Sequence, residues 1–159
     1  MRPGRAGHRP GAVSVRRATE DDLPRLIELM AQLRPDEPEA EDPSRAEDYA
    51  RVLARMTAQG QSVLVAEDDG RIAGALVLAI IDNITRQGTP YAIIENVVVD
   101  EAARGKHHGE ALIEQAIAEA RRAGCYKVSL TSNKRRTGAH RFYERLGFVQ
   151  THEAFRIDL

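Results

Sequence analysis

The chain has 159 residues, of which 42% are hydrophobic and 30% are charged, a composition typical of one soluble globular domain. Its 23 basic and 24 acidic side chains leave a formal net charge of −1, so no global field would attract nucleic acid or an anionic membrane. Aromatic residues make up only 4% of the chain and offer few platforms on which bases could stack. No apolar stretch approaches the roughly 20 residues that span a bilayer. These features argue against a nucleic-acid partner and against a membrane partner.

The beginning of the chain is rich in arginine, glycine and proline and has no apolar core, unlike a secretory signal. We therefore expect residues 1–12 to be a disordered tail and residues 13–159 to form a single domain. The only cysteine, Cys125, excludes an internal disulfide and fits a reducing compartment. A cytoplasmic location is the resulting expectation.

A short strand followed by two helices is predicted for the first part of the domain. Val13 and Val15 alternate with smaller or polar residues, as in a strand. Thr19 is the expected cap of the first helix, which stops at Pro35. Ser44 is the expected cap of the second helix, after an acidic loop.

The middle of the chain predicts three consecutive strands. The apolar runs 62–67 and 72–81 are joined by Asp68-Asp69-Gly70, which is a strong hairpin signal. The third run, 91–99, has β-branched residues on both faces and predicts an interior strand. Further predicted elements are a helix over 109–124, a strand over 126–130, a helix over 137–146 ending at Gly147, and one or two closing strands over 148–159. This order predicts an α/β (α+β) domain with a mostly antiparallel central sheet and helices on both faces.

The segment 95–112 carries the densest chemical signal, because a buried strand leads through a glycine-rich, basic turn into a helix. Free backbone N–H groups and the helix dipole at such a helix start form a site for an anion, most naturally phosphate. Arg104 and Lys106 add positive charge, while Gly105 and Gly109 allow close approach to the backbone. The alternative is a tight helix start with solvated charges. The glycine spacing fits neither the Walker pattern nor the dinucleotide-binding pattern.

Two motifs resemble those of the GCN5-related N-acetyltransferases, the GNAT family. Arg104 and Gly109 occupy the first and last places of Arg/Gln-x-x-Gly-x-Gly/Ala, whose backbone amides hold the pyrophosphate of coenzyme A in that family. His107 replaces the middle glycine, and we expect cofactor binding to survive with a shifted loop geometry. The block 132–148 resembles the family's later motif, Asn-x(n)-Ala-x-x-Phe/Leu-Tyr-x-x-x-Gly-Phe. The first motif is also similar to glucosamine-6-phosphate acetyltransferases, and the second to aminoalkylphosphonate acetyltransferases.

The resemblance implies the GNAT fold, with a mixed sheet, and direct transfer of an acetyl group from acetyl-CoA to a primary amine. It also implies that Tyr143 is the general acid toward the departing thiolate and that a backbone N–H near Val98 stabilises the oxyanion. Glu95 is our candidate base, a carboxylate on the strand beside the thioester. In strict alternation it would share a face with Val97 and Val99, unless a bulge intervenes. A core tyrosine and an ion-paired structural carboxylate are the alternative interpretations.

The expected cofactor-binding residues are Val97, Val98, Val99, Arg104, Gly105, Lys106, His107, His108, Gly109, Glu110, Asn133 and Tyr143. A turn-forming role is the alternative for Asn133. The histidines show no metal-ligand spacing on a shared face, so we expect no metal site.

The acceptor is expected to be a small-molecule amine, but its charge stays open at the level of sequence. The acidic loop 35–43 favours a cationic amine, whereas the basic run 134–136 favours a phosphorylated or phosphonate acceptor. The alternatives are acetylation of a protein or peptide amine, and a sensor that binds acetyl-CoA without catalysis. A homodimer is compatible with the frequent dimerisation of the family.

Overall fold

The computed structural model describes residues 13–37 and 39–159, so the predicted tail lies outside the described residues. Its five strands form one sheet in the order β1-β2-β3-β4-β5. The strands are β1 (Ser14–Arg17), β2 (Gln61–Asp68), β3 (Arg71–Ile81), β4 (Tyr91–Val99) and β5 (Val128–Leu130). The helices are α1 (Leu23–Ala31), α2 (Ala46–Ala58), the single turn α3 (Thr85–Gly88), α4 (His108–Arg122) and α5 (Thr137–Arg145).

The sheet is mixed and mostly antiparallel, as predicted. The strands β1 to β4 pair antiparallel with their neighbours, whereas β5 pairs parallel to β4. The hairpin between β2 and β3 turns at Asp69 and Gly70, whose φ angles of 50° and 76° explain the need for residues that tolerate left-handed backbone. The predicted interior position of β4 is confirmed, since β3 and β5 flank it.

Two hydrophobic clusters cover the two faces of the sheet. On one face, α4 packs Leu112, Ile113 and Ala116 against residues of β2, β3 and β4. On the other face, α1 packs Leu26 and Leu29 against the same strands, with partly buried residues of α2 beside them. Helices therefore lie on both faces, and β4 is held from both sides.

The ends of the first two helices differ from the sequence prediction. Helix α1 ends at Ala31 and continues as turns, so it does not run to Pro35. Ser44 is not the cap of the second helix. Instead, the Asp42 carboxylate accepts hydrogen bonds from the N–H and the hydroxyl of Ser44, at 2.9 and 2.7 Å, at the start of a 3₁₀ turn that precedes α2. A carboxylate accepts from backbone N–H groups more strongly than a hydroxyl does, which explains the exchange of roles.

The prediction of closing strands over 148–159 is wrong. The segment 149–159, hereafter the C-terminal arm, has no regular structure and is exposed throughout. Its large apolar side chains project into solvent, with Phe155 exposed by 93% and Ile157 by 84%. Among the described residues, no backbone hydrogen bond joins the arm to β5, and a strand without a neighbour has no ladder to stabilise it.

Candidate active site

A cleft opens where β4 and β5 diverge. The two strands pair only through Ala92, Ile93 and Ile94 of β4, so beyond Ile94 the edge of β4 that faces β5 has no strand partner within the described chain. The cleft is lined on its different sides by Leu33, Arg34, Glu95, Val97, Arg136 and Tyr143. An unpaired strand edge offers backbone N–H and C=O groups to an extended ligand.

A bulge at Asn96 decides which way the catalytic candidates on β4 face. Asn96 has a φ of 52°, and the register with β3 shifts at this point. Ile94 and Val97 both pack against the α4 cluster, whereas Val98 packs against the α1 cluster. Glu95, next to Ile94, therefore lies on the opposite face from Val97, so strict alternation does not hold here and the alternative of an intervening bulge applies. It is exposed in the cleft.

Tyr143 reaches the cleft from α5 and is fixed by its aromatic neighbours. Its ring lies edge-on to Phe142, at 5.2 Å between centroids, and to Phe148, at 5.9 Å. Burial raises the pKa of the Tyr143 hydroxyl above 10; the Glu95 carboxylate also raises it, whereas Arg136 lowers it. The hydroxyl makes no hydrogen bond to the described residues. A half-buried tyrosine whose O–H has no partner among the described residues is available to a ligand.

The turn before α4 has the geometry of an anion site. Gly105 has a φ of 79° and His107 a φ of 64°, so both are left-handed. Such a backbone favours glycine, which gives a physical reason why the family motif has a glycine at the place that His107 occupies in this chain. The His107 ring is exposed and lies 2.8 Å from the Glu110 carboxylate.

Helix α4 starts with backbone donors that have no partner in the helix. The first intrahelical bond runs from the Ala111 N–H to the His107 carbonyl, which leaves the N–H groups of Gly109 and Glu110 free of such bonds. A Cβ at Gly109 would lie 3.3 Å from the Phe142 ring and 3.4 Å from Val99. The absence of a side chain thus lets this helix start approach α5, the helix of Tyr143. Arg104 and Lys106 are exposed beside it.

Some predicted site residues have side chains that the structure directs elsewhere. The His108 ring is buried beneath the turn, and the Val98 side chain belongs to the core on the α1 side. The Asn133 side chain accepts from the Arg135 N–H at 2.9 Å, so it closes a turn, as in the alternative interpretation. Glu95 has no ion pair with the described residues, which does not support its interpretation as a paired structural carboxylate.

Three of the cleft residues that were missing from the sequence-based list carry polar side chains that could contact a ligand. Arg136 belongs to the basic run but carried no specific assignment, and Arg34 gave no sequence signal at all. Ser132 lines the cleft, and its hydroxyl is buried without a partner among the described residues. A buried hydroxyl without a partner costs free energy, which a ligand can recover.

Residues 25–148 match the family model described as acetyltransferase (GNAT) family. The chain belongs to this family and is an N-acetyltransferase; members use acetyl-CoA as co-substrate. The family membership and the N-acetyltransferase class confirm the sequence-based interpretation. Within the described residues, no group of three His, Cys, Asp or Glu side chains is placed to hold a metal ion. No helix of the described ranges is long and apolar enough to cross a membrane.

Named relatives confirm the finer resemblance as well. The chain is 37% identical over 127 residues to glucosamine 6-phosphate N-acetyltransferase 1 of Oryza sativa subsp. japonica, covering 79% of this chain and 73% of that protein. It is 42% identical over 62 residues to the aminoalkylphosphonate N-acetyltransferase of Salmonella typhimurium, covering 39% of this chain and 40% of that protein. The crystal structure of a Trypanosoma brucei acetyltransferase superposes with a TM-score of 0.83 at 33% identity, over 93% of this chain and all of that one (100%).

Proposed function

We propose that the protein transfers the acetyl group of acetyl-CoA to the primary amine of a small molecule that also carries a phosphate or phosphonate group. The observation that carries this proposal is that Arg34 and Arg136 line the same cleft as Glu95 and Tyr143. Guanidinium groups suit the oxygens of a phosphate, and a carboxylate suits an amine. The names of the rice and Salmonella relatives both describe acceptors of this kind.

The acidic loop 35–43 is weaker evidence for a cationic acceptor in the structure than it is in the sequence. The Glu41 carboxylate accepts a hydrogen bond from Arg34 at 3.1 Å, and Asp42 caps the following turn. The Asp42 carboxylate and one oxygen of Glu41 are therefore engaged within the protein, whereas the second Glu41 oxygen is buried without a partner among the described residues. The Arg34–Glu41 pair also holds the guanidinium near the rim of the cleft.

Acetyl-CoA would extend along two features already described. Its pyrophosphate would be held by the turn 104–110, through the free N–H groups of Gly109 and Glu110 with Arg104 and Lys106 beside them. Its pantetheine arm would follow the unpaired edge of β4 at Val97 and Val99. The thioester would then lie beside Tyr143.

The chemistry is a direct displacement at the thioester. The amine nitrogen attacks the carbonyl carbon, its surplus proton passes to Glu95 directly or through water, and the carbon–sulfur bond breaks. A backbone N–H near Val98 is proposed to stabilise the oxyanion, and such a donor lowers the barrier by about 3 kcal/mol. Tyr143 donates a hydrogen bond to the departing thiolate. Because the pKa of Tyr143 is raised, this donation matters more than complete proton transfer.

Coenzyme A release, measured with matched acceptor pairs, tests the proposal. Glucosamine 6-phosphate is compared with glucosamine, and 2-aminoethylphosphonate with ethylamine. We expect the anionic member of each pair to have the higher kcat/KM, by about tenfold or more, since one charge-assisted contact is worth about 1.5–3 kcal/mol. Arg136→Ala should remove this preference. Equal rates within both pairs would contradict an anionic acceptor.

The other functions left open by the sequence are outcomes of the same assay. Turnover on lysine peptides alone would favour a protein or peptide acetyltransferase. Binding of acetyl-CoA without turnover on any acceptor would favour a sensor. A cytoplasmic location is part of the proposal, because acetyl-CoA is a cytosolic metabolite and the lone Cys125 fits a reducing compartment.

We also propose that two copies associate through the C-terminal arm. Phe155, Ile157 and Leu159 alternate along the arm and are almost fully exposed, which is the pattern of a strand that lacks its covering layer. An antiparallel pair of arms centred on Ile157 would place Phe155 opposite Leu159. The same register would place Arg156 of each copy opposite Asp158 of the other, so that charges as well as apolar faces match.

A further inference from the structure

The hydroxyl of Ser132 is a polar group of the cleft for which the chemistry described so far has no use. Ser132 follows strand β5, which ends at Leu130, and lines the cleft together with Tyr143. The residue is half-buried, and its Oγ is buried without a hydrogen-bond partner among the described residues. Such a hydroxyl has lost its hydration and gained nothing in return. A ligand atom that accepts a hydrogen bond from Ser132 would recover this cost.

The position of Ser132 along the chain places it on the same face of the sheet as Tyr143. Val128 and Leu130 of β5 pack against the α4 cluster, and so does Tyr143. Ser132 lies two residues beyond Leu130, the spacing that returns a side chain to the same face of an extended chain. Leu130 is paired with Ile94, the last residue of β4 before the strands diverge. Ser132 and Tyr143 therefore approach this point from the α4 side.

The proposed base lies toward the other face of the sheet. Glu95 is on the opposite face from Val97, and Arg34 lines the cleft from the segment that follows α1, the helix that covers that face. The acceptor amine would therefore enter from the α1 side, and the sulfur would leave on the α4 side. A hydroxyl on the α4 side is placed for the leaving group rather than for the acceptor.

We propose that Ser132 is a second catalytic donor to the sulfur of coenzyme A. The inference rests on the proposed function, because it needs the thioester to lie beside Tyr143. As the amine nitrogen bonds to the carbonyl carbon, the carbon–sulfur bond breaks and its electron pair goes to sulfur. The Ser132 hydroxyl donates a hydrogen bond to this developing thiolate, alongside Tyr143, and keeps its own proton. Glu95 releases the surplus proton of the amine to solvent, from which the thiolate takes one up.

The contact should strengthen as the reaction proceeds. The sulfur of a neutral thioester is a weak acceptor, whereas hydrogen bonds to an ionised acceptor are roughly twice as strong as neutral ones. Rotation about the Cα–Cβ bond moves the serine oxygen between staggered positions, so the hydroxyl can turn from its buried position toward the sulfur. Because the gain appears mainly in the transition state, kcat should report it more than KM.

Coenzyme A and desulfo-coenzyme A, in which hydrogen replaces the thiol group, test for a contact with sulfur. Calorimetry at about pH 9, above the ordinary thiol pKa of about 8.5, gives the Kd of each compound. We expect the wild type to prefer coenzyme A by about tenfold or more, and Ser132→Ala to reduce this preference by about fivefold or more. Ser129→Ala is the matched control and should keep the preference, since Ser129 lies on the same strand but does not line the cleft.

Two further measurements separate this role from a structural one. The rate of acetyl transfer to glucosamine 6-phosphate in a single turnover should fall about fivefold to tenfold in Ser132→Ala, with little change in the KM for acetyl-CoA. The thermal midpoint of the unliganded variant should stay at or above that of the wild type, because alanine removes an unpaired hydroxyl. A lower midpoint would show that the hydroxyl already has a structural partner and would overturn the inference.

The failure of the inference and that of the proposed function give different results. If Ser132→Ala keeps the full preference for coenzyme A over desulfo-coenzyme A, the hydroxyl does not contact the sulfur, and the proposed function stands without it. A wild type that does not bind coenzyme A would refute the proposed function, and the inference with it.

Discussion

Glu95 and Tyr143 face one cleft from different elements, strand β4 and helix α5, and the charge of the carboxylate acts on the tyrosine. Burial and this negative charge raise the pKa of Tyr143, against the opposing effect of Arg136. The hydroxyl therefore keeps its proton throughout the neutral range. Because it makes no hydrogen bond to the described residues, its proton is free to stabilise a leaving thiolate.

Replacing the tyrosine by phenylalanine tests this role. We expect Tyr143→Phe to lower kcat by about 10²-fold or more, which is the usual contribution of a positioned proton donor. The KM for acetyl-CoA and the thermal midpoint should change little, because the ring contacts with Phe142 and Phe148 persist. Steady-state kinetics and circular dichroism measure the two effects.

Tyr126→Phe provides a matched control for this variant. Tyr126 is partly exposed, packs near Tyr91 outside the cleft and should leave kcat unchanged. A Tyr143→Phe enzyme with wild-type kcat would refute the general-acid role, provided that chemistry limits turnover.

Arg136 should lower the pH at which Tyr143 ionises. Arg136 lowers the pKa of Tyr143, so Arg136→Gln should raise that pKa further. The direction of this pKa shift follows from charge, because a nearby cation stabilises tyrosinate and its removal moves ionisation to higher pH. An absorbance titration of tyrosinate above about pH 10, corrected with the Tyr143→Phe variant, measures the shift. A downward shift in Arg136→Gln would contradict the arrangement of the cleft.

Local patterns predicted much of this fold because they depend on few neighbours. The bounds of β4, the hairpin at Asp69-Gly70 and the left-handed Gly147 all follow from residue types within a few positions. The helix predicted over 109–124 begins at His108 and ends at Arg122.

The missed features depend on contacts between distant segments. The bulge at Asn96 arises from pairing with β3, and it reverses the face that alternation gives to Glu95. Arg34 lines the cleft from the turn that follows the end of α1 at Ala31. The arm has the composition of a strand, but no neighbour within the chain pairs with it.

The left-handed backbone at His107 should be relieved by glycine. A left-handed conformation costs an L-residue about 1–2 kcal/mol, partly offset by the greater entropy of glycine in the unfolded chain. We expect His107→Gly to raise the free energy of unfolding by up to about 1 kcal/mol, with coenzyme A still bound. The lost contact with Glu110 is exposed and contributes little.

His107→Ala is the informative comparison. Alanine lacks both the freedom of glycine and the tolerance of histidine for this backbone. Unfolding in urea should therefore show that the His107→Ala variant is less stable than the wild type. If alanine and glycine had the same effect, backbone strain at this position would not be the cause.

Asp22 should make the fold sensitive to acid. Arg16 donates to the two oxygens of Asp22 at 2.7 and 2.9 Å and also to Glu67, which joins β1, β2 and the start of α1. Hydrogen bonding from Arg16 is the largest cause that lowers the pKa of Asp22. A folded pKa below the unfolded value of about 3.9 stabilises the protein above that value, and the stabilisation is lost as pH falls through the folded pKa.

Asp22→Asn should therefore destabilise the protein at neutral pH by about 1–2 kcal/mol, a modest figure because the Arg16 side chain is 40% exposed. The difference from the wild type should shrink as pH falls below about 4. Denaturant unfolding across pH measures it. Asp21→Asn changes the exposed neighbouring carboxylate and should leave this pH dependence intact. A constant difference at all pH values would exclude the ion pair as its source.

The C-terminal arm should hold two copies together. The wild type should scatter light as a species of twice the 17.6 kDa chain mass, because the apolar face of Phe155 and Ile157 needs a covering layer. Glutamate at both positions should give a monomer, since two charges would be buried without partners. Glutamate at His152 and Ala154, on the alternate face, adds the same charge and should preserve the dimer. A monomeric wild type at all concentrations, or equal dissociation of both double variants, would show that this apolar face does not join two copies.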